Sequence, residues 1–190
     1  MSRVENIDEN FWKKKTLGHY LKIIVYVILG IPKTLLFNFY YLGLEGIKFP
    51  FILSYKVKIN RLKGIVRVDI PQKKFGMIKL GFPLGETYDN SRYSFVWVNA
   101  GTIVFKGTAG IRNGTTIANY GLLEIGNEFH VSANAKIIYY KKITFGSDVL
   151  IGWNTEIIDG DAHKIIDKFG IRQNNDREIK IGNHVWIGAN

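Results

Sequence analysis

The chain contains no cysteine, and this absence excludes several kinds of chemistry. Disulfide cross-links, thiolate metal sites and a thiol nucleophile are all ruled out. A cysteine-free chain suits a reducing compartment such as the cytoplasm. Proline is also scarce, with 4 residues against 20 glycines, so we expect many tight turns rather than flexible linkers.

The sequence also lacks the signatures of nucleic-acid-binding and nucleotide-binding proteins. It carries no zinc-finger, RRM or basic-helix pattern, so we expect no nucleic-acid partner. The net charge of +10 points instead to anionic lipid or to a phosphate-bearing cofactor. The absence of a glycine-rich phosphate loop on a βα unit excludes a nucleotidyltransferase.

The apolar run is shorter than the ~20 residues that a membrane-spanning helix needs unless it extends through Lys33, so a spanning helix is the less favoured interpretation. The run from Tyr20 to Leu29 contains Lys22, and we expect Gly30 and Pro32 to break it. A secretory signal peptide is not favoured either, because no small-x-small cleavage site follows.

Residues 1–44 still differ from the rest of the chain, because they are basic first and then strongly apolar and aromatic. Lysines that flank an apolar helix are typical of an element in the membrane interface. The alternative is a helix that packs on its own domain or on a neighbouring subunit, and the two interpretations are compatible. We expect a cytoplasmic protein held on the anionic inner face of the membrane by this segment.

Residues 45–190 form the second predicted domain, made of short β-rich pieces that end in Gly, Asn or Asp. Three twenty-residue segments, starting at Gly101, Gly121 and Lys141, align on one another. Within each segment, aliphatic or aromatic residues recur every six positions. They are Phe105, Ile111 and Ile117; Ile125, Val131 and Ile137; and Phe145, Ile151 and Ile157.

Three six-residue steps per turn predict a triangular coil, in which each step supplies one short strand and one corner. The aliphatic residues would face inward, and the strands of successive coils would stack at ~4.8 Å around a solenoid core. A β-sandwich or barrel is the alternative, but its strands should alternate with period two and recur every ~8–12 residues. The six-residue phase favours an all-β solenoid, a parallel β-helix preceded by a helical segment.

Two stretches carry a family resemblance. "FGSDVLIGWNTEI", followed by "IGNHVWIGAN", resembles the hexapeptide-repeat acyltransferases, in particular the O-acetyltransferases that modify sugars and surface or capsular polysaccharides. The resemblance covers about residues 80–190. It implies a left-handed β-helix, a homotrimer, acetyl-CoA as cosubstrate, and a sugar or lipid-linked oligosaccharide as acceptor. Members of this family continue with further coils, so we expect a chain ending at Asn190 to be truncated.

His163 takes the place of the family's catalytic histidine, within "DGDAH", where the repeat stops and a polar loop follows. A neutral imidazole can take the proton of a sugar hydroxyl as the oxygen attacks a thioester. Its second ring nitrogen needs an acceptor, and the nearby candidates are Asp159, Asp161 and Glu156, although acidic residues are also common at corners. We expect the catalytic group to be His163 with Asp161 and Asp159.

Residues at the corners of the coil are the candidates for substrate binding. Asn154 and Asn134 could position a sugar, although Asn is also an ordinary turn former. Trp153 could stack on a sugar with its outward-facing ring. The resemblance places acetyl-CoA in a groove between neighbouring subunits, beside the tryptophan of "VWIG" and the final coils. It therefore implies cofactor contacts at Trp186, Gly188 and Ala189.

Two rival functions need to be weighed against acetyl transfer, a zinc enzyme and a non-catalytic scaffold. A zinc site would need three histidines, but His130, His163 and His184 fall at different phases of the repeat and should not converge on one ion. We therefore expect no metal. A non-catalytic, membrane-associated scaffold or glycan-binding module is the remaining alternative.

Overall fold

The structure of the protein, a computed structural model, describes residues 17–83, 94–160 and 162–189. The described chain begins with a helix, α1 (Leu17–Leu42), and a 3₁₀-helix (Gly43–Lys48). Strands β1 to β8 are Phe51–Leu53, Val57–Arg61, Ile65–Val68, Ile78–Phe82, Phe95–Asn99, Thr102–Phe105, Ala109–Arg112 and Thr116–Asn119. Strands β9 to β16 are Leu122–Ile125, Phe129–Val131, Lys136–Tyr139, Lys142–Phe145, Val149–Ile151, Glu156–Ile158, Ile179–Ile181 and Val185–Ile187.

The strands form three parallel sheets, in which each strand pairs with the strand three places away along the chain. Sheet A has the order β1-β4-β7-β10-β13-β16, sheet B the order β14-β11-β8-β5-β2, and sheet C the order β15-β12-β9-β6-β3. The chain therefore passes through sheets A, B and C in turn, and each full turn of the coil adds one strand to each of the three sheets. This arrangement is consistent with the predicted parallel β-helix.

The inward ladder predicted from the six-residue phase is confirmed. All nine residues of the three aligned segments are buried, with exposed fractions between 0% and 8%. Phe105, Ile125 and Phe145 lie in register on neighbouring strands of sheet C, as do Ile117, Ile137 and Ile157 on sheet B. Because each strand stacks its aliphatic residue on the same residue position of the next coil, the core is continuous.

The coiling begins well before the three aligned segments, within the predicted β-rich domain of residues 45–190, where the six-residue spacing is less regular. Strands β1 to β3 already contribute one strand to each sheet. The pairing register shifts between Ile59 and Arg61 and again between Leu80 and Phe82. Gly81, which lies at the second shift, has a φ of +76°. Such irregularities displace later residues from a fixed six-residue phase, which makes the repeat less regular in the early coils than in the aligned segments.

Helix α1 covers the exposed edge of β1. The Asn38 side chain donates from Nδ2 to the Phe51 carbonyl (2.8 Å) and accepts at Oδ1 from the Phe51 N–H (3.2 Å). The Leu53 N–H donates to the Thr34 hydroxyl (3.0 Å). These side chains pair backbone groups of an edge strand that would otherwise lack partners, so α1 closes the first coil as a cap.

One face of α1 belongs to the hydrophobic core. Phe37 is fully buried, with its ring centroid 5.1 Å from that of Phe51 and 5.0 Å from that of Trp97. The Trp97 indole N–H donates to the Tyr41 hydroxyl (3.1 Å). At Gly30 an added Cβ would lie 2.0 Å from the Leu53 carbonyl oxygen, so only glycine permits this close approach. The packing interpretation of the N-terminal segment is thus confirmed for this face.

The expected break of the helix at Gly30 and Pro32 was wrong, because α1 runs through both residues to Leu42. A proline inside a helix costs about 3 kcal/mol, and the contacts with β1 immediately after Pro32 offset that cost. The unbroken segment Tyr20–Lys48 is long and apolar enough to cross a membrane by length and composition, with mean hydropathy 1.7 in an 18-residue window that is 22% buried.

Candidate active site at the interrupted coil

The regular coil is interrupted between β14 and β15. Ile143 of β12 pairs with Leu123, twenty residues earlier, but with Ile179, thirty-six residues later. The inserted segment leaves and rejoins the coil at one point, where the Arg177 N–H donates to the Asp159 carbonyl (3.1 Å). The insertion therefore projects from the corner between sheets B and C without changing the strand register, as predicted for the polar loop.

Hydrogen bonds hold the inserted loop in a defined shape. The Asn174 side chain accepts from the Ile165 N–H (2.7 Å) and donates to the His163 carbonyl (2.8 Å). The Asp167 carboxylate accepts from the backbone N–H of Phe169 and of Ile171, both at 2.9 Å. These hydrogen bonds tie the two halves of the loop together and define the path of its backbone at the corner.

A cleft of about 700 Å³ lies between this loop and the outer face of sheet B. Its lining includes His163, Asn174, Asn175, Tyr140 and Ile158. The His163 side chain is exposed to solvent, on the loop that forms one wall. A cleft of this size can hold a monosaccharide unit beside an imidazole, and the polar and apolar walls suit a sugar.

Asp159 also lines the cleft, but the contacts of its carboxylate are structural. It is buried and accepts hydrogen bonds from the backbone N–H groups of Tyr140 (2.7 Å), Lys141 (2.9 Å) and Lys142 (2.8 Å). Asn119, forty residues earlier at the same place in the coil, likewise accepts from a backbone N–H (2.8 Å). The corner interpretation therefore accounts for Asp159.

The other two acidic candidates have different outcomes. Asp161 lies outside the described residues. Glu156 is half-exposed and forms an ion pair with Lys136 on the neighbouring strand of sheet B. The carboxylate of Glu156 therefore links two adjacent coils through Lys136, and this contact gives no support for a role beside His163.

The candidate substrate residues Asn134 and Asn154 lie at the corner between sheets A and B. Their φ values are +60° and +59°, and Gly114 takes the same place in the preceding coil with +75°. Asn134 donates from Nδ2 to Asn154 Oδ1 (2.8 Å). Asn tolerates this left-handed backbone better than most residues, so the geometry accounts for both asparagines as turn residues. Trp153, beside them, is 50% exposed.

The candidate cofactor residues follow at the same end of the coil. Trp186 lies on the outer face of sheet A with 76% of its surface exposed. The Gly188 carbonyl accepts from the Thr155 hydroxyl (3.2 Å), and Ala189 follows it along the same corner. None of these three residues lines the His163 cleft. Within one chain, the predicted catalytic and cofactor residues therefore lie at different corners of the coil.

Two features of the surface were missed by the sequence reasoning. The rings of Tyr120 and Tyr140 stack 5.3 Å apart with 8° between their planes, and Tyr140 reaches the cleft. Their spacing of twenty residues, one coil, is the signal that could have revealed the pair. His184 Nδ1 lies 2.8 Å from Asp148 Oδ2 on the corner between sheets C and A, away from the cleft.

Within the described ranges, no three His, Cys, Asp or Glu side chains come together in a way that could hold a metal ion. Comparison with known proteins adds no family: neither the family models, nor the curated proteins, nor the solved structures gave a match.

Proposed function

We propose that this protein is a hexapeptide-repeat O-acetyltransferase with a left-handed β-helix. It transfers the acetyl group of acetyl-CoA to a hydroxyl of a sugar or lipid-linked oligosaccharide used in surface or capsular polysaccharide synthesis. The observation that carries the proposal is the position of His163, on the wall of a 700 Å³ cleft where the regular coil is interrupted.

The chemistry needs one base and one place for negative charge. The sugar oxygen attacks the thioester carbonyl while His163 accepts the hydroxyl proton. The C–O bond forms, the C–S bond breaks, and the imidazolium returns its proton to the departing CoA thiolate. A backbone N–H would stabilise the oxyanion, and the stacked pair Tyr120 and Tyr140 offers an aromatic surface for a sugar ring.

In this proposal acetyl-CoA lies along Trp186, Gly188 and Ala189, and the candidate substrate residues Trp153, Asn154 and Asn134 lie at the neighbouring corner between sheets A and B. Because these residues lie at a different corner from His163, a complete site needs a second copy of the chain. A homotrimer would supply one, with each cleft facing the A–B corner of its neighbour.

The activity test uses the full chain with acetyl-CoA and a panel of lipid-linked oligosaccharides, measuring free CoA. We expect His163→Ala to lower the rate by about 10²–10⁴-fold, the usual contribution of a general base. The matched control is His184→Ala, which removes an exposed histidine from another corner and should leave the rate unchanged. Transfer by His163→Ala at the wild-type rate would refute the mechanism.

The shared site has its own test. His163→Ala and Trp186→Ala chains with different tags are co-expressed, and mixed oligomers are isolated by both tags. If each site combines residues of two subunits, each mixed trimer regains one of its three sites, so about one third of the sites are restored, although each parent is impaired. Mixed oligomers no more active than their parents would place the complete site within one chain.

A glycan-binding scaffold is the second candidate, favoured by the stacked tyrosines at the cleft. It predicts that wild type and His163→Ala bind the oligosaccharides equally while neither releases CoA. Replacement of Tyr140 by Ala should then abolish binding, whereas the exposed Tyr40→Ala on α1 should not change it.

We further propose that α1 lies in the plane of an anionic membrane on the cytoplasmic side. Its outer face exposes apolar side chains: Leu17, Tyr20, Leu21, Ile24, Val25, Ile28, Leu29, Ile31, Leu35, Leu36, Phe39 and Tyr40. Residues 1–83 carry fifteen Lys and Arg against five Asp and Glu, whereas residues 84–190 carry eleven of each. The entire net charge therefore accompanies the apolar helix, as suits anionic lipid.

The cap supports the in-plane orientation over a spanning one. Thr34 and Asn38 are hydrogen-bonded to β1, so a membrane-spanning α1 would carry strand backbone into hydrocarbon. Ile24→Glu should reduce flotation with phosphatidylcholine–phosphatidylglycerol vesicles, and high salt should weaken binding. The control Leu150→Glu, an exposed leucine of sheet A, should float like wild type. Equal flotation of both variants would contradict this orientation.

A further inference from the structure

A second cavity, of about 580 Å³, lies between α1 and the outer face of sheet A, away from the His163 cleft. Ile23 and Val27 of α1 form one wall, and Phe82 lies among the other apolar residues of the lining. The floor includes Gly110, where an added Cβ would lie 3.0 Å from His130 Nδ1. The missing side chain at Gly110 leaves open the space that a larger residue would fill.

The polar part of this cavity is cationic. Lys79 and Arg112 supply the positive charge, His130 adds ring nitrogens, and none of the described lining residues is acidic. The register places Lys79, Gly110 and His130 side by side on neighbouring strands, so the lysine and the histidine flank the gap over the glycine. A ligand in this space would meet a positive field on one side and hydrocarbon on the other.

Arg112 is half-buried, and this burial lowers the pKa of its guanidinium. None of the ion pairs among the described residues involves Arg112. Partial burial of a guanidinium without a carboxylate costs free energy, and an anion with two oxygens would recover it through bidentate hydrogen bonds. The guanidinium is the group best suited to select phosphate from other headgroups.

The apolar wall continues onto the exposed face of the helix. Ile23 and Val27 are half-buried in the cavity, while the adjoining Ile24 and Ile28 are exposed at 50% and 56%. An alkyl or isoprenoid chain leaving the cavity could therefore extend along α1 without crossing a polar surface.

From this geometry we infer that the cavity beneath α1 binds an anionic amphiphile, with its phosphate on Arg112, Lys79 and His130 and its first chain carbons against Ile23, Val27 and Phe82. The chemistry that the cavity recognises is a phosphate group carried by an alkyl or isoprenoid chain. The inference does not depend on acetyl transfer.

Binding to the full chain is measured by titration calorimetry with three probes: dodecyl phosphate below its micellar concentration, inorganic phosphate, and dodecyl maltoside. We expect dodecyl phosphate to bind about tenfold more tightly than either other probe, because only it engages both halves of the cavity. Arg112→Gln should weaken dodecyl phosphate binding about tenfold, and the control Arg67→Gln, an exposed arginine of sheet C, should leave it unchanged. Melting temperatures verify that each variant is folded.

A second variant tests the space rather than the charge. Gly110→Val fills the floor of the cavity and should also weaken dodecyl phosphate binding, even if Arg112→Gln does not fold. Several results would overturn the inference: equal binding of dodecyl maltoside, equal binding of inorganic phosphate, no binding of dodecyl phosphate, an equal effect of the two arginine variants, or unchanged binding by Gly110→Val.

Discussion

Asn38 is the residue through which the cap hypothesis can be tested most directly. It is fully buried, and its amide pairs both backbone groups of Phe51 as well as the Thr34 carbonyl (2.8 Å). Asn38→Ala removes all three partners at once. Leaving a buried polar group unpaired costs about 1–3 kcal/mol, so the two groups of Phe51 alone predict a loss of about 2–6 kcal/mol. That is a large part of the usual 5–15 kcal/mol of folding free energy.

The assay is urea unfolding, followed by far-UV circular dichroism and by tryptophan fluorescence. Asn60→Ala is the matched control, because Asn60 lies exposed in β2 and its truncation should change the unfolding free energy by less than about 0.5 kcal/mol. Trp97 packs against Phe37 of the helix, so its emission reports the cap when the other three tryptophans are replaced by phenylalanine in every variant compared.

The two signals separate local from global effects. In a solenoid each coil is stabilised by its neighbours, so loss of the cap should make the Trp97 signal change at lower urea than the strand signal. A loss below about 1 kcal/mol for Asn38→Ala, or one equal to that of Asn60→Ala, would refute the idea that α1 secures the edge of β1.

Three further predictions concern buried tyrosines and the corners. Tyr139→Phe should stabilise the protein by about 1 kcal/mol in urea unfolding, because the described structure gives its buried hydroxyl no partner. Burial and the neighbouring Tyr55 raise the pKa of Tyr26 to about 12, so the folded state keeps a proton that the unfolded chain loses. The unfolding free energy should then fall as the pH rises from about 10 towards 12, and less steeply in Tyr26→Phe. Asn154→Gly should stay within about 1 kcal/mol of wild type, whereas Asn154→Val should lose more, and retained activity in Asn154→Gly would contradict a substrate role.

The coil of three parallel sheets could be predicted from the sequence because its core imposes a period. Inward positions such as Ile125 and Phe145 stack on one another, so a polar residue at either would be buried without a partner. The same requirement holds in the first coils. There, a glycine with positive φ at position 81 and two register shifts disturb the spacing without disturbing the sheets.

The helix was harder to predict, because tertiary contacts decide where it ends. Pro32 and Gly30 are poor helix residues by propensity, yet the close approach to Leu53 requires Gly30 and the β1 contacts hold the turns that follow. The site was predictable only in part. His163 falls at the interruption of the coil, where the sequence placed it. The distance between His163 and Trp186 could not be predicted, because it depends on which sheets the strands beside these two residues join.

The interrupted corner also limits how catalytic residues can be identified in this fold. The register of β15 on β12 survives the insertion, so the loop that carries His163 is largely independent of the ladder that stabilises the coil. Asp159 is different, because its carboxylate closes the corner at Tyr140 to Lys142 while its backbone carbonyl anchors the returning loop. Loss of activity on replacing Asp159 would therefore follow from displacement of the loop, even without any contact between this carboxylate and the imidazole. His163, whose exposed ring lies outside the ladder, is the position where a loss of rate at unchanged stability would identify the chemistry itself.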